Sequence, residues 1–96
     1  MSERQPMVSI TVQKMTEAEA QAQGIDGWSS WECEPSEFPW EYTSTEHAYF
    51  FEGKVMVTPK GEDPVEINAG DMVTFPQGMQ CTWKVIEKIR KVYRFE

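Results

Sequence analysis

The sequence predicts an all-β fold, a barrel or jelly roll, with one short helical turn near the amino terminus. Three observations predict it. Short stretches of alternating apolar and polar residues recur along the chain. Turn residues, above all Gly, Pro and Asp, separate them. Only the segment after Thr16 carries a helix-start signature.

In chain order, residues 1–7 are polar and are expected to fray. Val8–Val12 alternates as a strand. Thr16-Glu-Ala-Glu19 matches a capping box and Gly24 is a stop, so a helical turn over 16–23 is expected, as a surface element without chemistry. Gly27–Cys33 reads as a second strand with Trp31 and Cys33 on one face, and Glu34–Glu37 as a bend. A long strand carries Trp40 through Thr43-Ser44-Thr45 to Phe51, and Gly53 supplies a turn after it. Lys54–Thr58 is the next strand and Pro59–Pro64 a polar turn. Val65–Ile67, Met72–Phe75 and Cys81–Ile86 are short strands, and Lys88–Phe95 closes the chain as a strand of alternating charges. About eight such strands with almost no helix suit a closed β architecture in one domain spanning 1–96.

Composition narrows the function. The 96 residues are 40% hydrophobic and 26% charged, an ordinary globular balance. A chain this short buries only about 60–65% of its extended surface, so a second subunit would help it. Aromatic residues make up 12%, with four tryptophans, which points to a filled core or an aromatic pocket. A net charge of −7 repels phosphate backbones and anionic lipid, which argues against nucleic-acid or membrane partners. No run approaches the roughly 18 apolar residues of a membrane helix. The amino terminus lacks the apolar core of a signal peptide, so a cytoplasmic location is expected. Cys33 and Cys81 make no disulfide framework and no Cys-x-x-Cys pair for zinc.

Alternation along the central strand places Trp40, Tyr42, Glu46, Ala48 and Phe50 on one face, and Glu41, His47, Tyr49 and Phe51 on the other. The first face sets one carboxylate among bulky rings. There it needs a partner or a raised pKa, and Tyr42 or a backbone group is the structural choice of partner. The second face is an exposed aromatic patch, which Met56 extends. A symmetric homodimer is expected to cover it, unless the strand Val8–Val12 does so.

Glu46 and Gly53 stand at the spacing of the first cupin motif, and Gly70, Pro76 and Gly78 at that of the second. Trp31–Trp40, Phe75–Trp83 and the closing Tyr93-Arg-Phe95 resemble, more narrowly, small single-domain cupins related to the cupin domain of (S)-ureidoglycine aminohydrolase. The resemblance implies a cupin-type double-stranded β-helix, a jelly-roll barrel that is commonly dimeric. It implies no single activity, because the fold hosts many. The usual cupin metal site has three histidines and a glutamate. Here Trp40, Tyr42 and Cys81 stand where the histidines would, and Glu46 alone remains. Indole cannot ligate a metal, and phenolate or thiolate forms at Tyr42 or Cys81 are costly at their reference pKa values of about 10 and 8.5. No cofactor is therefore expected, and Glu46, Cys81 and Tyr42 are weak candidates for a divalent transition metal.

The leading expectation is a small polar metabolite held in the barrel, with Glu46 accepting hydrogen bonds, Tyr42 donating one, and Trp40, Trp83 and Cys81 lining the pocket. An enzyme using Glu46 as general base or acid, with Tyr42 or Cys81 assisting, is the alternative. The third reading is an interaction module with a filled pocket. Cys81 and Cys33 equally suit packing, and His47 suits the surface or an interface.

Overall fold

The structure, a computed structural model, describes residues 9–96. The expected frayed tail and Val8, the start of the first expected strand, lie outside the described residues. Among the described residues seven strands form one antiparallel sheet: β1 Thr11–Lys14, β2 Ser29–Cys33, β3 Ser36–Glu41, β4 Glu46–Pro59, β5 Val65–Asn68, β6 Asp71–Phe75 and β7 Gln80–Phe95. A short helix, α1 (Glu17–Ala22), and a 3-10 turn at Ile25–Gly27 lie between β1 and β2.

The two long strands make the architecture. The first part of β4 pairs with β6 and with the end of β7, while its later part pairs with β5 and with the start of β7. β2 joins β7 at its far end and β3 at its near end. β4 and β7 thus run as one bent ribbon through both halves of the sheet, as strands do in a jelly roll. The halves close over a common core of Phe50, Val55, Val57, Ile67, Val73, Phe75, Trp83, Val85 and Ile89.

The bend is a bulge at Gly53, not the expected turn. The β4–β7 register shifts between Phe50 and Val55. Gly53 has φ +103, and a Cβ there would overlap the carbonyl oxygen of Lys88 on β7. The extra residue also switches the inward face of β4: Glu46, Ala48 and Phe50 are buried before it, Val55 and Val57 after it. Among the described residues there are therefore fewer and longer strands than expected, since Glu46–Pro59 is one strand and Gln80–Phe95 another. Conversely, the expected strand through Thr43-Ser44-Thr45 is broken, and residues 42–45 join β3 to β4 without strand pairing. Among the described residues the first strand begins at Thr11, and β3 begins at Ser36, inside the expected bend.

The helix expectation holds in detail. The Thr16 hydroxyl accepts from Glu19 N, and Glu19 answers through the Thr16 amide. Its packing was not foreseen. Met15, Ala20 and Ile25 form a second cluster with Tyr49 and Met72 on the outer face of β4. The Tyr49 hydroxyl donates to Met15 O at 2.8 Å. Tyr49 of the expected outer patch is thus buried under residues 15–25, while His47, Phe51 and Met56 stay part-exposed. The Arg90 guanidinium sits 4.7 Å above the Phe51 ring beside it. Among the described residues no helix is long and apolar enough to cross a membrane.

Candidate functional site

A cavity of about 280 Å³ opens at one end of the core. β2 contributes Trp31, β3 contributes Phe38 and Trp40, the connection after β3 contributes Tyr42, and β4 contributes Glu46. β7 lends Trp83, Lys91, Tyr93 and Phe95. Register explains the convergence: on β3, Phe38 lies opposite Trp83, and Trp40 opposite Cys81. Tyr42 is held by its own backbone, donating to Met79 O and accepting from Gly78 N, so the turn of the second motif fixes its position.

The partner of Glu46 is Lys91, neither Tyr42 nor a backbone group. Nζ lies 2.6 Å from Oε2, and both side chains are about nineteen-twentieths buried, 6% and 5% exposed. The ammonium is caged by rings, 4.8 Å from the centroid of Trp83, 4.9 Å from Trp31, 5.5 Å from Phe50 and Tyr93, and 5.7 Å from Phe75. Ring faces attract the cation where water is excluded. Desolvation works against it: burial pushes the Lys91 ammonium below its ordinary pKa of 10.5, and Glu46 pulls it back. Such a pair contributes little net stability, yet breaking it leaves a charge stranded.

Tyr42 stacks on Phe75 at 4.9 Å with planes 5° apart, and its hydroxyl accepts from Trp83 Nε1 at 3.2 Å. Burial, then Glu46 and Cys81, hold its phenol above the ordinary value of 10.0. Tyr42 is therefore a neutral donor, and its proton has no acceptor among the described residues. Trp40 stands at the rim, 49% exposed and edge-on to Tyr42.

The remaining expectations separate. Cys81 is buried but does not line this cavity. Its Sγ packs on Trp40 O at 3.6 Å, and burial pushes its thiol up to about 11, so it is a poor nucleophile. Cys33 packs at the end of β2, donating to Glu34 O. His47 lies on the outer face, with Nδ1 3.1 Å from Thr74 Oγ1 and Nε2 2.6 Å from Glu96 Oε2. Lys91, Trp31, Phe38, Tyr93 and Phe95 were not anticipated at the site. The signal was present: alternation from Cys81, Trp83 and Val85 continues through Ile89, Lys91 and Tyr93 once β7 is read as one strand.

The donors present do not fit a transition metal. One carboxylate faces the cavity, an ammonium already holds one of its oxygens, and the Tyr42 phenol and Cys81 thiol both resist deprotonation.

A family model described as an EutQ-like cupin domain matches residues 20–93. The crystal structure of a DUF861 family protein from Thermotoga maritima superposes with a TM-score of 0.87 at 40% identity, covering 92% of this chain and 100% of that one. The EutQ protein of Clostridium difficile superposes with a TM-score of 0.63 at 21% identity, covering 69% of this chain and 52% of that one. A DUF861 protein of unknown function from Pseudomonas syringae gives a TM-score of 0.63 at 26% identity, covering 70% of this chain and 29% of that one. No match is found among curated proteins.

Proposed function

The chain belongs to the EutQ-like cupin family, and from that premise we propose that it binds a small, planar, polar molecule in its aromatic cavity without a transition metal. The observation that carries this reading is the Glu46–Lys91 pair set in the wall of a ring-lined cavity. A site built only for packing would favour apolar side chains of similar volume, which are as stable or more so. The rings accept a flat ligand face, the Tyr42 hydroxyl donates, and the pair offers a donor and an acceptor side by side.

The lysine ammonium supplies the positive charge that a metal supplies in other cupins. Of the four ligands that a metal-dependent, ureidoglycine aminohydrolase-like reaction would use, this sequence keeps Glu46 alone. Purified protein is expected to carry well under one equivalent of transition metal by elemental analysis; a stoichiometric metal that survives chelator dialysis refutes the metal-free reading.

The direct test is a thermal-shift screen of small planar metabolites, followed by titration of tryptophan fluorescence. Hits are expected to perturb emission and to weaken in Trp40→Ala, which strips the rim and leaves the core intact. A screen whose hits are unaffected by Trp40→Ala and by Tyr42→Phe places binding elsewhere and defeats the proposal.

A further inference from the structure

We propose that the cavity takes small planar aldehydes or ketones and that Lys91 captures them as an imine. The inference rests on the binding reading above. Three features of the site point to covalent capture rather than contact alone. Lys91 is the one lysine among the cavity-lining residues, and its Nζ is not spent on a backbone carbonyl or a surface acid. Its side chain is only 6% exposed, and that burial works against the ammonium, in opposition to the rings and Glu46, and shelters an imine from water. A carboxylate lies 2.6 Å away and lines the same cavity, placed to take and return a proton.

The step balances without any further reagent. Within the pair, a proton passes from Nζ to Glu46 and leaves a neutral amine beside a neutral acid. The nitrogen lone pair attacks the carbonyl carbon, the C–N bond forms, and the carbonyl π electrons move to oxygen, which takes the proton from Glu46. The resulting carbinolamine then loses its hydroxyl as water. Glu46 takes the proton from nitrogen and delivers it to the departing oxygen. Carbonyl plus amine gives imine plus water, with no change in oxidation state. Tyr42, whose proton is free, is within the same cavity to donate to the oxygen of the incoming carbonyl.

The experiment uses the full chain, benzaldehyde as probe and sodium cyanoborohydride as trap at neutral pH, with sites mapped by peptide mass spectrometry. One benzyl group per chain is expected on Lys91, accumulating at least about tenfold faster than on exposed Lys60. Labelling confined to exposed lysines or to the amino terminus overturns the proposal. Benzyl alcohol, which keeps the ring and lacks the carbonyl, is followed in parallel by tryptophan fluorescence. Binding of the alcohol without trapping at Lys91 defeats imine capture and leaves cavity binding standing; no binding and no trapping defeats both. Lys91→Met strands Glu46, so the control is the charge-free double variant Glu46→Gln/Lys91→Met. It is expected to stay folded by circular dichroism and to lose the fast phase of labelling. A fast phase that survives in the double variant assigns the reactive amine elsewhere and overturns the proposal.

Discussion

Two buried carboxylates of this protein each face a lysine, and they differ in almost everything else. Asp71, at the head of β6, accepts from Asn68 N at 2.7 Å and so fixes the turn between β5 and β6. Its lysine, Lys14, is 71% exposed; Nζ comes within 2.8 Å of Oδ1 as a charge contact whose angle makes no hydrogen bond. Glu46 has no such backbone duty, and its lysine is as buried as itself. The difference sets an acid that anchors backbone apart from one that lines the cavity. A carboxylate that ties down backbone needs only solvent charge around it. A carboxylate sealed in with an ammonium beside a cavity has a stability cost that packing does not explain.

The largest expected effect is at Lys91. Lys91→Met is expected to destabilise by about 3–5 kcal/mol in urea unfolding, because Glu46 remains buried and unpaired. The double variant Glu46→Gln/Lys91→Met should recover most of that loss. A single variant as stable as the parent would show that water reaches Glu46 freely and would dissolve the distinction.

The next effect belongs to the other acid. Asp71→Ala orphans the Asn68 amide and is expected to cost about 1–3 kcal/mol, with no change in ligand binding at the cavity. If Asp71→Ala alters that binding, the two acids are not separate in role.

Smaller again is the alkaline pH dependence, where the groups at the core act with opposite signs. Lys91 has its folded pKa pushed below 10.5, so the unfolded chain holds more protons and stability rises with pH through the window that ends near 10.5. Cys81 is raised from 9.0 to about 11, so its contribution is whole below pH 9 and is lost as pH climbs toward 11. Tyr42, held above 10.0, deepens the loss above pH 10. Urea midpoints measured from pH 8 to 10.5 should therefore fall more steeply in the double variant, which lacks the Lys91 contribution, than in the parent. Equal slopes would mean that burial leaves the Lys91 ammonium unperturbed.

The smallest effect is at Lys14. Lys14→Met removes an exposed partner and should change stability by no more than about 1 kcal/mol, and less at high salt. A loss as large as that of Lys91→Met would erase the contrast between the pairs.

Much of this was legible in local pattern. The capping box at Thr16 and Glu19 was read from residues that touch each other in the helix. The inward facing of Glu46, Ala48 and Phe50 followed from alternation, and the glycines and proline of the second motif marked a turn. The Glu46 side was thus found and its partner was not. Lys91 sits in a strand of alternating charges, and such a strand reads as a wet surface. Reading the chain as separate strands on either side of Glu87 hid the continuity that points Lys91 inward. Cys81 misled in the opposite way: its motif position suggested the pocket, whereas its thiol turns to the Trp40 carbonyl.

By itself, then, the sequence determined that the chain is almost all strand, where the helix starts and which side of β4 is buried before Gly53. Those features depend on neighbours a few residues apart, through backbone geometry and side-chain alternation. Only the tertiary structure decided that Lys91 pairs with Glu46 and that residues 15–25 pack over Tyr49 on the outer face. Both depend on contacts between segments distant in sequence. The β4–β7 register itself changes at the bulge at Gly53, where the backbone passes too close to Lys88 O to admit any side chain. One residue of shift there determines which face of β4 meets the interior of β7, and no local pattern encodes it.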